Sequence, residues 1–248
     1  MAEERTFARA VILGARGRYL SSWALLSEPL DACALTLRGS HLRQIGAPGA
    51  AQECDALALV HARSGVDSAD AGLGWAADAL ALGRIGLAEQ RWSEIFDTAV
   101  AAGQRTALRA HWVGAEISLA QGDVAGSLRH AHAAVDLAAR VSDRHLAKSL
   151  MILAAAATVG GDNALAQPAM EKADHLIEQQ RWLSLWWPWT LIAQQMHGVA
   201  ERYKADRGWW AVLTIAAHLP EELAAAWMRQ ADVRRIGEVL GRDPSTHD

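Results

Sequence analysis

Ala76–Ala88 reads AADALALGRIGLA, Ala115–Ser127 reads AEISLAQGDVAGS, and Ala154–Ala166 reads AAAATVGGDNALA. Each stretch opens on a small residue, reaches a glycine seven positions later and closes on another small residue five positions further on. Gly83, Gly122 and Gly161 lie 39 residues apart, and the same shift superposes Ala193 on the opening alanines. It also aligns Leu73, Trp112 and Met151, then Leu80 and Leu119. Several columns agreeing in one register mark an internal repeat, the sequence signature of stacked supersecondary units.

Relaxing the spacing extends the pattern toward the N-terminus. Gly17 and Gly46 are further turn glycines, preceded by Ala10 and Gly39 and followed by Ser22 and Ala51. The reason is steric. Two antiparallel helices joined by a short turn approach closely only where facing positions carry no bulk, and glycine takes the left-handed cap without cost.

Apolar residues recur every three to four positions around these turns, as Leu128, Ala131, Val135 and Ala138 do, so the segments read as helices. Ala, Leu, Arg, Glu and Gln dominate them and favour that state. Asp123 and Asp162 directly follow turn glycines, where a carboxylate caps the next helix. Pro29 and Pro220 mark breaks between elements, because proline disrupts a helix interior. No strand is expected. The pattern divides the chain into five helix pairs, 4–28, 30–64, 67–102, 105–141 and 143–181, followed by a Trp-rich C-terminal helical cap over 182–248 that ends in a frayed tail. No Ser/Gly linker separates two domains, so one structural unit is expected.

Composition sets outer bounds. The chain has 248 residues, 51% apolar, with 24 basic and 28 acidic side chains for a net charge of −4, which suits a soluble core-forming protein and argues against one devoted to nucleic acid. Arginine outnumbers lysine, but its excess is spread along the chain and matched by carboxylates. Cys33 and Cys54 are the only cysteines, too few for a disulfide framework or a cysteine zinc cluster. An acidic N-terminus and the lack of a long apolar run lead to a cytoplasmic expectation.

The small-residue, turn-glycine, small-residue pattern resembles the tetratricopeptide (TPR) family, whose last small position is filled here by Ala58, Ala134 and Ala173. The chain departs from the family in having no Tyr late in the first helix of each pair and no Pro closing the second. Its spacing also varies, from 29 residues between Gly17 and Gly46 to 39 in the centre, against the family's roughly 34. The resemblance implies an all-α fold, an α-α superhelix of about six stacked antiparallel helix pairs, whose first helices line an inner groove. Carried over position by position, that groove consists of Ser40, Arg43, Gln44, Asp70, Arg109, Trp112, Glu116 and Lys148. Arg109 and Lys148 are then expected to meet carboxylates of an extended peptide or protein tail, with Trp112 adding apolar contact. The competing expectation is a solvated face of internal salt bridges.

Other constellations carry less. His130 and His132 point about 200° apart on one helix and cannot chelate together. His111 and His145 are solitary on their helices, so structural histidines are expected rather than a metal site. Ser149 and His145 lack a third catalytic group, and the clusters 40–44 and 144–149 are candidates for anion binding. The glycine groups lack phosphate-loop spacing. Trp186, Trp187 and Trp189 form either a core that seals the stack or an exposed patch for dimerisation or a partner.

The functional expectation is a non-enzymatic interaction, scaffold or regulatory module, without cofactor, that binds a protein or peptide. The alternative is a ligand-sensing or nucleic-acid-associated regulatory domain using the same groove for an anion or RNA.

Overall fold

The structure, a computed structural model, describes residues 2–26, 30–185 and 198–242. Thirteen helices are bounded among them, residues 183–185 are helical as well, and no strand occurs among the described residues. Ten come in sequential pairs: α1 (Ala2–Ala15) and α2 (Tyr19–Trp23), α3 (Ala32–Gln44) and α4 (Pro48–His61), α5 (Gly65–Ala81) and α6 (Ile85–Ala101), α7 (Gln104–Ala120) and α8 (Val124–Ala138), α9 (Asp143–Val159) and α10 (Asn163–Gln180). Then come α11 (Gly198–Ala216), α12 (Glu221–Met228) and α13 (Ala231–Leu240).

All five repeat turns close in the same way. Gly17, Gly46, Gly83, Gly122 and Gly161 have φ between 72° and 80°. At each, the amide after the glycine donates to the carbonyl five residues back, as in Arg84 to Ala79, Asp123 to Ser118 and Asp162 to Ala157, each at 2.9 Å. This is the Schellman closure, which satisfies carbonyls left over at the helix end and requires the left-handed conformation that glycine supplies. Asp123 and Asp162 then cap the following helices, accepting from the amides of Gly126 at 2.8 Å and Leu165 at 3.0 Å. Pro220 stands at the N-cap of α12, while Pro29 lies outside the described residues. One proline breaks the expected rule: Pro168 sits inside α10. The carbonyl it leaves without a donor belongs to Ala164, which is exposed and can bind water.

Facing small residues are buried as the repeat demands. Ala10, Ala76, Ala115 and Ala154, and opposite them Ser22, Ala51, Ala88, Ser127 and Ala166, are fully buried, as are Ala58, Ala134 and Ala173. Ser22 Oγ spans its contact directly, donating to the Ala10 carbonyl at 2.8 Å, whereas the buried Ser127 Oγ finds no hydrogen-bond partner among the described residues.

The chain divides into two compact units, Glu28–Leu176 and a second made of Met1–Ser27 with Ile177–Asp248. In the first, Ala76, Ala79, Ala88, Val113 and Ile117 form one apolar cluster, and Leu108, Trp112, Ala134 and Ala138 another. Trp92 of α6 packs against α7: its indole donates to the Ala110 carbonyl at 2.8 Å, and a Cβ at Gly114 would sit 2.7 Å from its ring. In the second unit the turn glycine Gly17 abuts Ile215, and Ser184 Oγ donates to the Ala15 carbonyl at 3.0 Å. Trp227 is fully buried with its indole donating to the Val212 carbonyl, and Trp209 is buried while Trp210 is half exposed. Trp186, Trp187 and Trp189 lie outside the described residues.

Candidate functional site

Within the Glu28–Leu176 unit the first helices of successive pairs lie side by side, α3 against α5, α5 against α7 and α7 against α9. Of the groove positions expected from the repeat, Arg43, Asp70, Arg109, Trp112 and Lys148 make contacts between these helices. Their shared face has two chemically different ends.

At the α3 end Arg43 is held by its neighbours. Its guanidinium donates to Asp55 of α4 at 2.8 Å, to Asp78 of α5, and to the Gly74 carbonyl at 3.0 Å. Both carboxylates are buried. Asp55 fits only because its flanking positions lack side chains: a Cβ at Gly39 would lie 3.1 Å from it, and one at Gly74 would overlap it. Burial pushes Asp55 up to about 8 against the pull of Arg43, and the adjacent Asp78 adds to the rise. The rise, together with the hydrogen bond between Asp55 and Asp78, favours a proton on Asp55. Beside this cluster, Gln44 Nε2 donates to Ser40 Oγ at 3.2 Å.

Asp70 of α5 marks the middle. It forms ion pairs with Arg105 and Arg109 of α7, and Arg109 also donates to the Asp70 carbonyl at 3.3 Å. The column of Asp70 and Arg109, one repeat apart, is thus an internal bridge between consecutive first helices. The expectation that Arg109 stands ready for a partner's carboxylate meets this competitor already in place.

The α9 end is different. Trp112 is buried, its indole donating to Ser149 Oγ at 2.8 Å. His145 stacks on it at 5.7 Å and an interplanar angle of 15°, and the Lys148 ammonium lies 4.4 Å from its ring centroid. No carboxylate lies within 4 Å of Lys148 Nζ among the described residues, so its one close partner is the indole face, a cation–π contact. Burial lowers the Lys148 pKa; Glu116 opposes this, while Arg43, Arg109 and Arg144 reinforce it. His145 is pushed down to about 4 by burial and by Arg144, Arg105, Lys148 and Arg109, and buried His41 to about 3 by burial and Arg144. Both imidazoles are neutral at pH 7, as a field this positive requires.

The two polar clusters that stand apart in sequence, 40–44 and 144–149, therefore meet electrostatically: His41 feels Arg144, and Arg43 feels Glu116 as Lys148 does. Sequence reasoning missed Asp55 and Asp78, which lie off the repeat's groove positions and matter only because Arg43 reaches them. It also missed Arg105, whose one available signal is its position one turn before Arg109. Ser149 is not a nucleophile aimed at an imidazole: its hydroxyl donates to the backbone carbonyl of His145 at 2.9 Å, while His145 Nδ1 is bonded to Ser142 Oγ at 2.6 Å. No helix among the described residues is long and apolar enough to cross a membrane.

No protein-family model matches this sequence, and no curated protein matches it either. Solved structures do. The fold is similar to that of a Rap protein complexed with Competence and Sporulation Factor, with a TM-score of 0.59, 14% identity, and coverage of 91% of this chain and 66% of that one. It is similar also to the Rap conjugation gene regulator of the plasmid pLS20 in complex with the Phr* peptide, with a TM-score of 0.62, 14% identity, and coverage of 97% and 68%. The chain spans about two thirds of the length of these structures. Rap proteins are TPR-like helical repeat proteins, and this chain has the same all-α, α-α superhelical fold in divergent form.

Proposed function

We propose that the face formed by α3, α5, α7 and α9 binds a peptide or protein segment through an acidic group, and that the protein acts as a non-enzymatic regulatory or scaffold module in a bacterial-type cytoplasm. The observation that carries this reading is Lys148. A partly desolvated ammonium, set among Arg43, Arg109 and Arg144, with Glu116 acting on it but no carboxylate in contact, costs energy that an incoming anion repays. His145 and Lys148 lie against the buried Trp112 ring, which fixes where the ammonium stands. The two solved neighbours, captured with Competence and Sporulation Factor and with the Phr* peptide, support a peptide as the ligand class. A surface already assembled in this way binds without large rearrangement.

The test begins with peptides selected from a random display library against the full chain. A selected acidic peptide should lose at least about tenfold in affinity when its Asp or Glu residues become Asn or Gln, and again when Lys148→Glu is introduced, consistent with one charge-assisted contact of roughly 1.5–3 kcal/mol. Peptides that bind wild type and Lys148→Glu equally well would remove the proposal.

A further inference from the structure

Lys148 carries a second chemistry on its own nitrogen. It stands on α9 one helical turn after Arg144, and one repeat after Arg109 of the adjacent α7. Its ammonium lies 4.4 Å from the centroid of the Trp112 ring, on which His145 also stacks, and among the described residues no carboxylate lies within 4 Å of it. The side chain is half-buried, so a small solute still reaches it from water. Arg43 and Arg109 cannot withdraw from their places, because Asp55, Asp78 and Asp70 hold them there. Burial favours the neutral amine, and Arg43, Arg109 and Arg144 add to that preference against Glu116.

We propose that Lys148 is a carbon dioxide acceptor, its amine reversibly forming a carbamate set among Arg109, Arg144 and Arg43. The lone pair of the neutral amine bonds to the carbon of dissolved carbon dioxide, one C=O pair shifts onto oxygen, and an N–H proton passes to water. Nothing is oxidised or reduced. Counted from the ammonium, two protons leave and the group changes from one positive charge to one negative. An exposed lysine, with a pKa of about 10.4, holds roughly one side chain in a few thousand as the reactive amine at pH 7. At Lys148 the surroundings favour both reactant and product: a cation repelled by three guanidinium groups becomes an anion that they attract. The lost cation–π contact and repulsion from Glu116 oppose the change, and the three guanidinium groups outnumber them. The step uses the residue that carries the peptide reading but needs no peptide, so either can fail alone. Mutual exclusion of carbamate and acidic peptide is the one consequence that rests on that reading.

The experiment supplies the full chain, its lysines enriched in the heavy nitrogen isotope, with bicarbonate enriched in the heavy carbon isotope, and records carbon resonances at neutral pH. Lys148, Lys172 and Lys204 are the only lysines in the sequence, which keeps the assignment direct. Wild type should show one carbamate carbon split by a lysine nitrogen, whereas a carbamate on the terminal amine carries no such splitting. Lys148→Met should lose the split resonance, and the double variant Lys172→Arg with Lys204→Arg should keep it. Alkylating the equilibrated wild type with a trialkyloxonium reagent and mapping its peptides should find the trapped carbamate ester on Lys148 at least tenfold more often than on the exposed Lys172. A wild type with no lysine-coupled carbamate, or a split resonance that survives in Lys148→Met, overturns the proposal. Should Lys148→Met fail to fold, the trapped ester decides, and equal labelling of Lys148 and Lys172 overturns it.

Discussion

The α3 end and the α9 end of the helix face present the same raw material, cations at groove positions of a repeat, in opposite states. Arg43 is closed off by two buried acids and a backbone carbonyl, whereas Lys148 touches an indole face and feels Glu116 only at longer range. The difference teaches that repeat position tells which way a side chain points, while its availability depends on what neighbouring helices place opposite it. A cation already matched internally holds helices together; one left unmatched is available to a ligand.

Removing the guanidinium is the severest way to break this contrast. Arg43→Ala leaves two buried carboxyl groups without their cation and should cost about 3–5 kcal/mol in urea unfolding. Gly74→Ala comes next: its new Cβ would drive the Asp55 carboxylate off Arg43, with an expected loss of about 3 kcal/mol. By comparison Gly122→Ala, which strains one turn and touches neither end, should cost roughly 1–2 kcal/mol.

Acidity separates the ends by sign. Asp55 is raised from 3.8 to about 8, so the stability linked to its proton is complete below 3.8 and is lost as pH rises through about 8. His145 is lowered from 6.5 to about 4, so its contribution is complete above 6.5 and is lost as pH falls through about 4. Measured across pH 4–8, Asp55→Asn should gain stability relative to wild type as pH rises, and His145→Gln should lose part of the decline on the acid side. Parallel profiles for both variants would show that the two ends do not differ as described.

Lys148→Met should have the smallest effect on folding. It replaces a desolvated cation, repelled by its neighbours, with an apolar chain of similar length, and the unfolding midpoint should move by no more than about 1 kcal/mol, toward greater stability if at all. His145→Glu sharpens the comparison from the other side by giving Lys148 an internal carboxylate one helical turn away. The open end then resembles the closed one, and binding of the selected acidic peptide should fall at least tenfold while the fold persists.

Much of the architecture was legible from local rules. A glycine recurring with small residues seven before and five after has one economical reading, and the structure returns positive φ and Schellman closure at all five turns, with the flanking small residues buried. Caps, turns and helical periodicity are properties of neighbours in sequence, which is why these features could be read there. The repeat named candidate groove positions. Their chemical states were not. Nothing near Arg43 announces Asp55 or Asp78, 12 and 35 residues away.

The amino-acid order alone determined the repeated turn, its left-handed glycines and the small residues that let helices approach, because each depends on steric conditions within a dozen or so consecutive residues. Only the tertiary structure decided which charges pair, which acids are buried together and which cation lies against an indole instead of a carboxylate. Those outcomes depend on distances between side chains from different helices, and both Coulomb energy and desolvation change steeply over the few ångströms that packing sets.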